Sequence, residues 1–339
     1  MVEQRNHNPR VRGSSPFAAT MMGAVLGLPL YIPPVSIESV FLATVKRERL
    51  LPSGSAVTAA VSGGADSVAM LCLLQRFAPA RRWKIQVLHI DHGLREGSGA
   101  DAAFVLEICG QLGVSCRIER PEALSGGSME SRWSLARQKL YNETGTVVAV
   151  GHTMSDRAET LLLRLMEGSG LRGLGGMDYR GIGPVVRPLL DVTGTQAREY
   201  LKERHIPWRE DPTNLDPTLA RNRIRLSVMP ALRAVFPHGE EGLSRSSAAL
   251  SRWRDLQDVL TESAGNGMPR KEYLALPHVL RLAVLWAMAG KPRSGSDELG
   301  KTDSWLVSGG RGEHVLPGGL KLLADDEALA VHVRKGRYS

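Results

Sequence analysis

The segment Val61-Ser62-Gly63-Gly64-Ala65-Asp66-Ser67 concentrates the residue types that hold an anion: adjacent glycines, flanking hydroxyls and one carboxylate. It lies between an apolar run, Ala56 to Val61, and a stretch with helical periodicity, Ala65 to Phe77. Glycines at such a turn let backbone N–H groups converge, and the start of the helix adds unpaired donors and its dipole. Ser62, Gly63, Gly64, Ala65, Asp66 and Ser67 therefore form the candidate phosphate-binding loop. Asp66 repels a bare phosphate, a conflict relieved if it helps to hold Mg2+ or braces the loop. The GxxxxGK(S/T) pattern with its lysine is absent, and so is GxGxxG at this turn, which excludes a Walker loop and a dinucleotide fingerprint. The plainer alternative is an ordinary strand-to-helix turn capped by Ser62.

A second set begins at Asp156. Glu159 follows three residues later, so both carboxylates can share one helix face. Such a pair can hold a metal ion with Asp66, or do general acid–base work. The plainer roles are a helix N-cap for Asp156 and an exposed capping-box residue for Glu159. His89, Asp91, His92 and Arg95 follow the apolar run Ile85 to Ile90, and His152 follows Thr146 to Val150. Ligands of open α/β sheets bind beyond the carboxyl ends of the strands, which makes these residues pocket candidates. Asp91 and His92 could equally fix their loop by a hydrogen bond. Arg164 and Arg187 sit within apolar segments, where a guanidinium needs a phosphate or a carboxylate, and join the pocket candidates. Arg137, with Tyr141 one turn on, and Arg221, Asn222, Arg223 and Arg225 are candidate RNA contacts, because arginines on phosphate give affinity and salt sensitivity. The alternative for the arginine run is a solvated face beside Glu210 and Asp211, or a brace between the first domain and the rest.

These residues need a scaffold, and the pattern supplies one. Short apolar runs alternate with helical stretches: a helix from Ile37 to Glu48, then strands at Ala56 to Val61, Ile85 to Ile90, Val114 to Ile118 and Thr146 to Val150. Helices fall between them at Ala65 to Phe77, Ala102 to Leu112 and Glu130 to Tyr141, followed by Asp156 to Met166. That alternation predicts an α/β fold, a parallel sheet flanked by helices of Rossmann-like type. Gly168, Gly170, Gly173, Gly175 and Gly176 read as a flexible segment, and Pro184 to Val186 as a fifth strand. Helices follow at Gln196 to Arg204 and at Arg221 to Val228, the latter stopped by Pro230. Ser244 to Glu262 reads as a long helix that links two bodies or packs across the first. Beyond it come a helix from Leu274 to Ala289, a surface loop from Ser294 to Lys301, and two apolar runs, Val315 to Leu320 and Ala328 to Val333, that suggest a small hairpin-rich domain. The expected division is residues 1–35, a disordered extension broken by Pro29, Pro33 and Pro34; residues 36–232, the catalytic domain; and residues 233–339, a helical linker with a small C-terminal domain.

Composition narrows the class. With 42% hydrophobic and 23% charged residues the chain reads as globular, and its 339 residues suffice for a large core plus a satellite domain. The net charge of +8 suits a polyanionic partner. Cys72, Cys109 and Cys116 form no CxxC and no metal cluster, which implies a reducing, cytoplasmic setting and argues against sulfur transfer. No segment reads as a membrane span, since prolines interrupt the uncharged stretch from Gly13 to Ser36.

Ser62 to Ser67 resembles the SGGxDS motif of the PP-loop ATP pyrophosphatase superfamily. Within it, the chain resembles the tRNA(Ile)-lysidine synthetase family. The likeness continues at Val87 to Arg95, Gly151-His152, Asp156, Ala158-Glu159-Thr160 and Arg164. It extends through Gly168 to Gly170, Gly173-Leu174, Met177, Arg187 to Leu190, Asp211 to Asn214 and Arg221 to Arg225, covering about Ile37 to Leu232. The resemblance implies an ATP- and Mg2+-dependent ligase, with Asp66, Asp156 and Glu159 catalytic and Asp66 and Asp156 on the metal. Its partners would be free L-lysine and a tRNA(Ile) with a CAU anticodon, and its C-terminal domain would contact RNA. The family commonly has an acidic or amide residue before Asp156 and often a glutamine after it; Ser155 and Arg157 stand there instead. A tRNA thiolase and a non-catalytic nucleotide-dependent RNA-binding protein are the competing readings. An amide-forming synthetase would bring an ammonia-generating partner or domain, and no such domain is evident.

Overall fold

The computed structural model describes residues 36–91, 93, 98–121, 129–262, 267–290 and 296–332. The extension read at residues 1–35, and His92 and Arg95, lie outside the described residues.

Ser36 caps the first helix, α1 (Ile37–Arg47), its side chain accepting from the Ser39 N–H. Five strands follow in the predicted alternation: β1 (Ala56–Ala60), β2 (Lys84–Ile90), β3 (Cys116–Glu119), β4 (Val147–Val150) and β5 (Val185–Val186). All pair in parallel, in the order β3-β2-β1-β4-β5. The chain moves outward from β1 to β3, then returns to add β4 on the other side of β1. The crevice between β1 and β4 is thus the point where strand order reverses, where open α/β sheets bind ligands.

Helix α2 (Ala65–Arg81) runs down from the end of β1 and is apolar all round its first half, with Val68 to Leu74 buried. Each Val, Leu and Met among them contributes about 1.5–3 kcal/mol on burial, which fixes the helix start rigidly beneath the loop. Phe41 of α1 stacks on Phe77 at 6.0 Å and meets Trp83 edge-on at 6.4 Å, closing this side of the core. Helices α3 (Ser98–Leu112), α4 (Met129–Glu143), α5 (Met154–Met166) and α7 (Gly194–Glu203) complete the domain, with one turn, α6 (Leu171–Leu174), between the last two.

Several expectations change beyond β5. The second half of the glycine-rich segment is packed, not loose: a Cβ on Gly175 would lie 3.0 Å from Ser251 Cα, so the glycine permits close approach of a helix, whereas Gly168 and Gly170 are exposed. That helix is α10 (Gly239–Glu262), which packs across α5 and α6 and also reaches the C-terminal part. Pro230 does not end the preceding helix. Helix α8 (Ala220–Arg223) passes through a π turn, Ile224–Val228, into α9 (Met229–Val235), where proline occupies the first turn and needs no N–H partner.

The C-terminal part is a four-stranded antiparallel sheet, β6-β9-β8-β7, built from β6 (Gly267–Pro269), β7 (Gly312–Val315), β8 (Lys321–Ala324) and β9 (Ala328–His332). The helix expected from Leu274 to Ala289 is two, α11 (Arg270–Ala275) and α12 (His278–Met288), divided at Pro277. Ser296–Val307, partly read as a surface loop, is α13; Leu299 and Leu306 bury one face while polar residues cover the other. Tyr273, Leu285, Leu306, Leu322 and Leu329 form the core here.

Candidate active site

The loop after β1 is shaped by its own hydrogen bonds. Ser67 Oγ donates to the Gly64 carbonyl at 2.9 Å and accepts from the Ser62 N–H at 3.2 Å. Gly63 takes φ +93°, which a side chain would strain, and Gly64 opens α2 as its N-cap. The loop is held from two sides. The Arg209 N–H donates to the Gly63 carbonyl at 3.0 Å, and the Arg209 guanidinium pairs with Asp101 of α3. On the other side Gly151, at the end of β4, has no room for a side chain: a Cβ would fall 2.8 Å from Ser67 Cα. The end of β4 thus packs directly on the first turn of α2.

Thr153, not Asp156, is the N-cap of α5. Asp156 is the third residue of that helix, and its Oδ2 accepts from the Thr153 N–H at 2.8 Å and from Thr153 Oγ1 at 3.1 Å. Oδ1 faces outward to Arg221 Nη2 at 2.9 Å and Arg225 Nη2 at 3.1 Å. Glu159 is not an exposed capping residue. It is 2% exposed and accepts from Arg225 Nε at 2.8 Å and Arg221 Nε at 3.3 Å. The helix spacing puts both carboxylates on one face, and two arginines one turn apart cover them.

Asp66 stands beside this cluster. Burial, then the neighbouring Asp156 charge, push its carboxyl up to about 7, against the pull of Arg198 and Arg225. Its Oδ1 is buried without a hydrogen-bond partner. Burial also pushes Asp156 up, but its interactions with His152, Arg221, the Thr153 N–H and Arg225 bring it below the usual carboxylate range. His152 falls to about 4 because burial and the charges of Arg187, Arg221 and Arg137 disfavour its cation, so the ring is neutral near pH 7. Arg187 Nε lies 3.3 Å from His152 Nδ1, while its Nη1 donates to the Asp178 carbonyl at 2.7 Å.

An orphaned carboxylate oxygen beside a second carboxylate fits a hard cation. Mg2+ takes one or two carboxylates and completes its shell with phosphate and water, so it needs no third protein ligand. Among the described residues no group of three His, Cys, Asp or Glu side chains could hold a metal by itself.

Other candidates turn out to brace the site. His89 Nδ1 donates to the Val61 carbonyl at 2.8 Å, fixing the ring beneath the loop. Asp91 accepts from the Gly93 N–H at 2.8 Å and from Arg120 Nη2 at 2.5 Å, the loop-fixing alternative. Arg164 lies further along α5 from the carboxylates and donates to the Gly173 carbonyl at 2.6 Å, so it braces the glycine segment. Asn222 is buried, and its amide donates to the Thr213 and Asp216 carbonyls at 2.8 and 2.9 Å, a brace and not an RNA contact. Arg221 and Arg225 face the carboxylates, whereas Arg223 and Arg137 are exposed. Sequence reasoning missed Arg198, Arg209 and Arg120. Each is a lone arginine on a polar stretch, and only its position opposite a carboxylate distinguishes it.

The described chain contains no helix long and apolar enough to cross a membrane. The PP-loop domain family model matches residues 37–232. A tRNA(Ile)-lysidine synthase of Parasynechococcus marenigrum is 33% identical over 84% of this chain and 90% of its own length. The same enzyme of Solibacter usitatus is 43% identical over 55% of this chain, which spans only 42% of that longer relative. Among solved structures, a U34-tRNA thiolase of Methanococcus maripaludis superposes with a TM-score of 0.53 at 18% identity, over 64% of this chain and 78% of its own, a likeness of fold.

Proposed function

The chain belongs to the tRNA(Ile)-lysidine synthase family of PP-loop proteins, and we propose that it joins L-lysine to C2 of the wobble cytidine in a tRNA(Ile) with a CAU anticodon. The observation that carries this reading is the carboxylate set of half-buried Asp66 with buried Asp156 and Glu159, placed where the anion-binding turn and the end of β4 meet.

ATP would lay its phosphates along the N–H groups of Gly63 to Ser67 and the start of α2. The cytidine O2 attacks the α-phosphorus, pyrophosphate leaves, and the base carries AMP. The ε-amine of lysine then attacks C2; the carbon–oxygen bond breaks, AMP departs, and lysidine remains. Asp66 and Asp156 would hold Mg2+, which supplies charge neutralisation where pyrophosphate leaves. An alkylammonium has a pKa of about 10.4, so a base must take its proton before attack. Glu159, one turn from Asp156 and shielded from water, is the group to take it. Arg221 and Arg225 pair with both carboxylates and hold them on one face of α5. Arg223, Arg137 and the C-terminal domain are the proposed contacts to RNA, and the cytoplasm is the proposed setting.

A thiolase reading shares the fold but finds its sulfurs in the wrong places. Cys72 and Cys109 are buried within helices, and Cys116 lies on the edge strand β3, two strands across the sheet from β1. Release of AMP from ATP, measured with and without lysine and tRNA, tests the proposal. AMP that forms independently of lysine and tRNA, or no AMP at all, would reject it.

A further inference from the structure

Arg157 is the largest fully buried side chain among the described residues, 1% exposed, and the chemistry proposed above does not use it. It follows Asp156 directly but leaves α5 about 100° further round the helix, away from the carboxylate face. Its Nε donates to the Met177 carbonyl at 2.9 Å, and its guanidinium lies 4.6 Å over the Tyr179 ring. Nη1 reaches Tyr179 Oη at 3.4 Å and Ser244 Oγ of α10 at 3.5 Å.

Two chains of contacts continue from there. Tyr179 Oη donates to Asp191 Oδ1 at 2.7 Å. Two residues on, Thr193 caps α7, and the next N–H, of Gly194, donates back to Ser155 Oγ of α5 at 3.0 Å. Arg157 and Ser155 thus close a ring that grips the first turn of α5 on both sides of Asp156. The second chain runs along α10. Ser244, Ser247 and Ser251 are buried on one face of that helix; Ser247 Oγ donates to the Leu174 carbonyl at 3.4 Å and Ser251 Oγ to Asp178 Oδ2 at 2.8 Å. The same helix packs on α12 of the C-terminal part.

We propose that Arg157 is a positioning residue, which locks the first turn of α5, and with it Asp156 and Glu159, to α10, the helix that carries the C-terminal part. The carboxylates and the far domain then move as one unit, and the catalytic pair is held at the geometry the transfer needs. This rests on the function proposed above, and the test separates the two.

Burying a guanidinium is costly, and an apolar side chain of similar volume in its place is often neutral or stabilising. Arg157→Met therefore keeps the packing while removing the lock, and Arg157→Lys restores one donor. In Arg157→Met, amides of residues 154–160 should exchange with deuterium at least about 10-fold faster, with residues 62–67 unchanged. Misplacement of the carboxylates should lower kcat by about 10- to 100-fold and leave KM for ATP within about two-fold. Arg157→Lys should fall between Arg157→Met and the parent on both measures, with the melting temperature of each variant recorded alongside. Unchanged exchange at residues 154–160, or an unchanged kcat in folded Arg157→Met, overturns the proposal. A kcat loss matched by an equal rise in KM for ATP overturns it as well. A parent protein without lysine- and tRNA-dependent AMP release rejects the function, and the exchange measurement then decides the role of Arg157 alone.

Discussion

Two regions of this molecule pair arginines with buried carboxylates, and they do it differently. In the C-terminal part, Asp303 accepts from Tyr273 Oη at 2.6 Å and from Nε and Nη2 of the Arg281 guanidinium, at 2.8 and 3.1 Å. Burial pushes Asp303 up, but those bonds hold it below the usual range. Arg270, also buried, donates to the carbonyls of Leu306, Gly310 and Asp325. At the ends of β1 and β4, by contrast, Asp66 Oδ1 has no partner, and that carboxyl rises to about 7. A satisfied network fixes one structure; an unsatisfied one stores an affinity for something not yet bound. The contrast separates a structural cluster from the proposed functional one where both would look alike in a count of ion pairs.

The largest expected effect tests that separation. Asp66→Asn and Asp156→Asn should each cut AMP formation by about 100-fold or more, as expected when charge stabilisation in the reacting site is lost, with far-UV circular dichroism unchanged. Asp303→Asn should leave ATP use per folded molecule unchanged and lower the unfolding midpoint of the C-terminal part. Near-normal AMP formation in both site variants would remove the distinction.

Next come the arginines. Arg225→Gln leaves buried Glu159 short of a partner; because the Arg225 side chain is 34% exposed, the loss should be about 1–3 kcal/mol in urea unfolding. Arg223→Gln, at an exposed side chain, should cost almost no stability but reduce the slope of log tRNA affinity against log salt by about 0.7 to 0.9. A reversed pattern would place Arg225 on RNA and Arg223 in the scaffold.

A smaller effect concerns pH. With Asp66 at about 7 in the folded chain and at the ordinary 3.8 when unfolded, the native state binds the extra proton between those values. Stability of the metal-free protein should therefore fall as pH rises from about 4 to about 7 and level off above, and Asp66→Asn should remove that component. Melting temperatures in chelator across this range check it, and an identical slope in parent and variant would contradict it. The smallest effect is expected from deleting the first 34 residues, which should leave the tRNA modification rate within about two-fold. A large drop would make that extension part of the machinery.

Much of the first domain was legible in the chain because β1, β4, β5 and the second half of β2 are buried and read as short apolar runs, while β3 is a half-exposed edge strand. The C-terminal part was harder. Lys321-Leu322-Leu323-Ala324 is too brief to announce a strand, and it becomes one only between β7 and β9. Ser296–Val307 looks polar because a single face, with Leu299 and Leu306, meets the core. Within the site, Asp66, Asp156 and Glu159 could be named from type and spacing. The partners of those carboxylates could not, since Arg221 and Arg225 lie more than sixty residues away in sequence, and a dense arginine run reads the same whether it faces RNA or an acid.

Local chemistry belonged to the sequence alone: glycines and hydroxyls in a strand-to-helix turn make an anion cradle, and a three-residue spacing puts two carboxylates on one helix face. Which of those groups stay charged, which arginines cover them and which oxygen is left without a partner were decided by the tertiary structure. Burial and long-range pairing set those electrostatics, and neither is a property of any one segment.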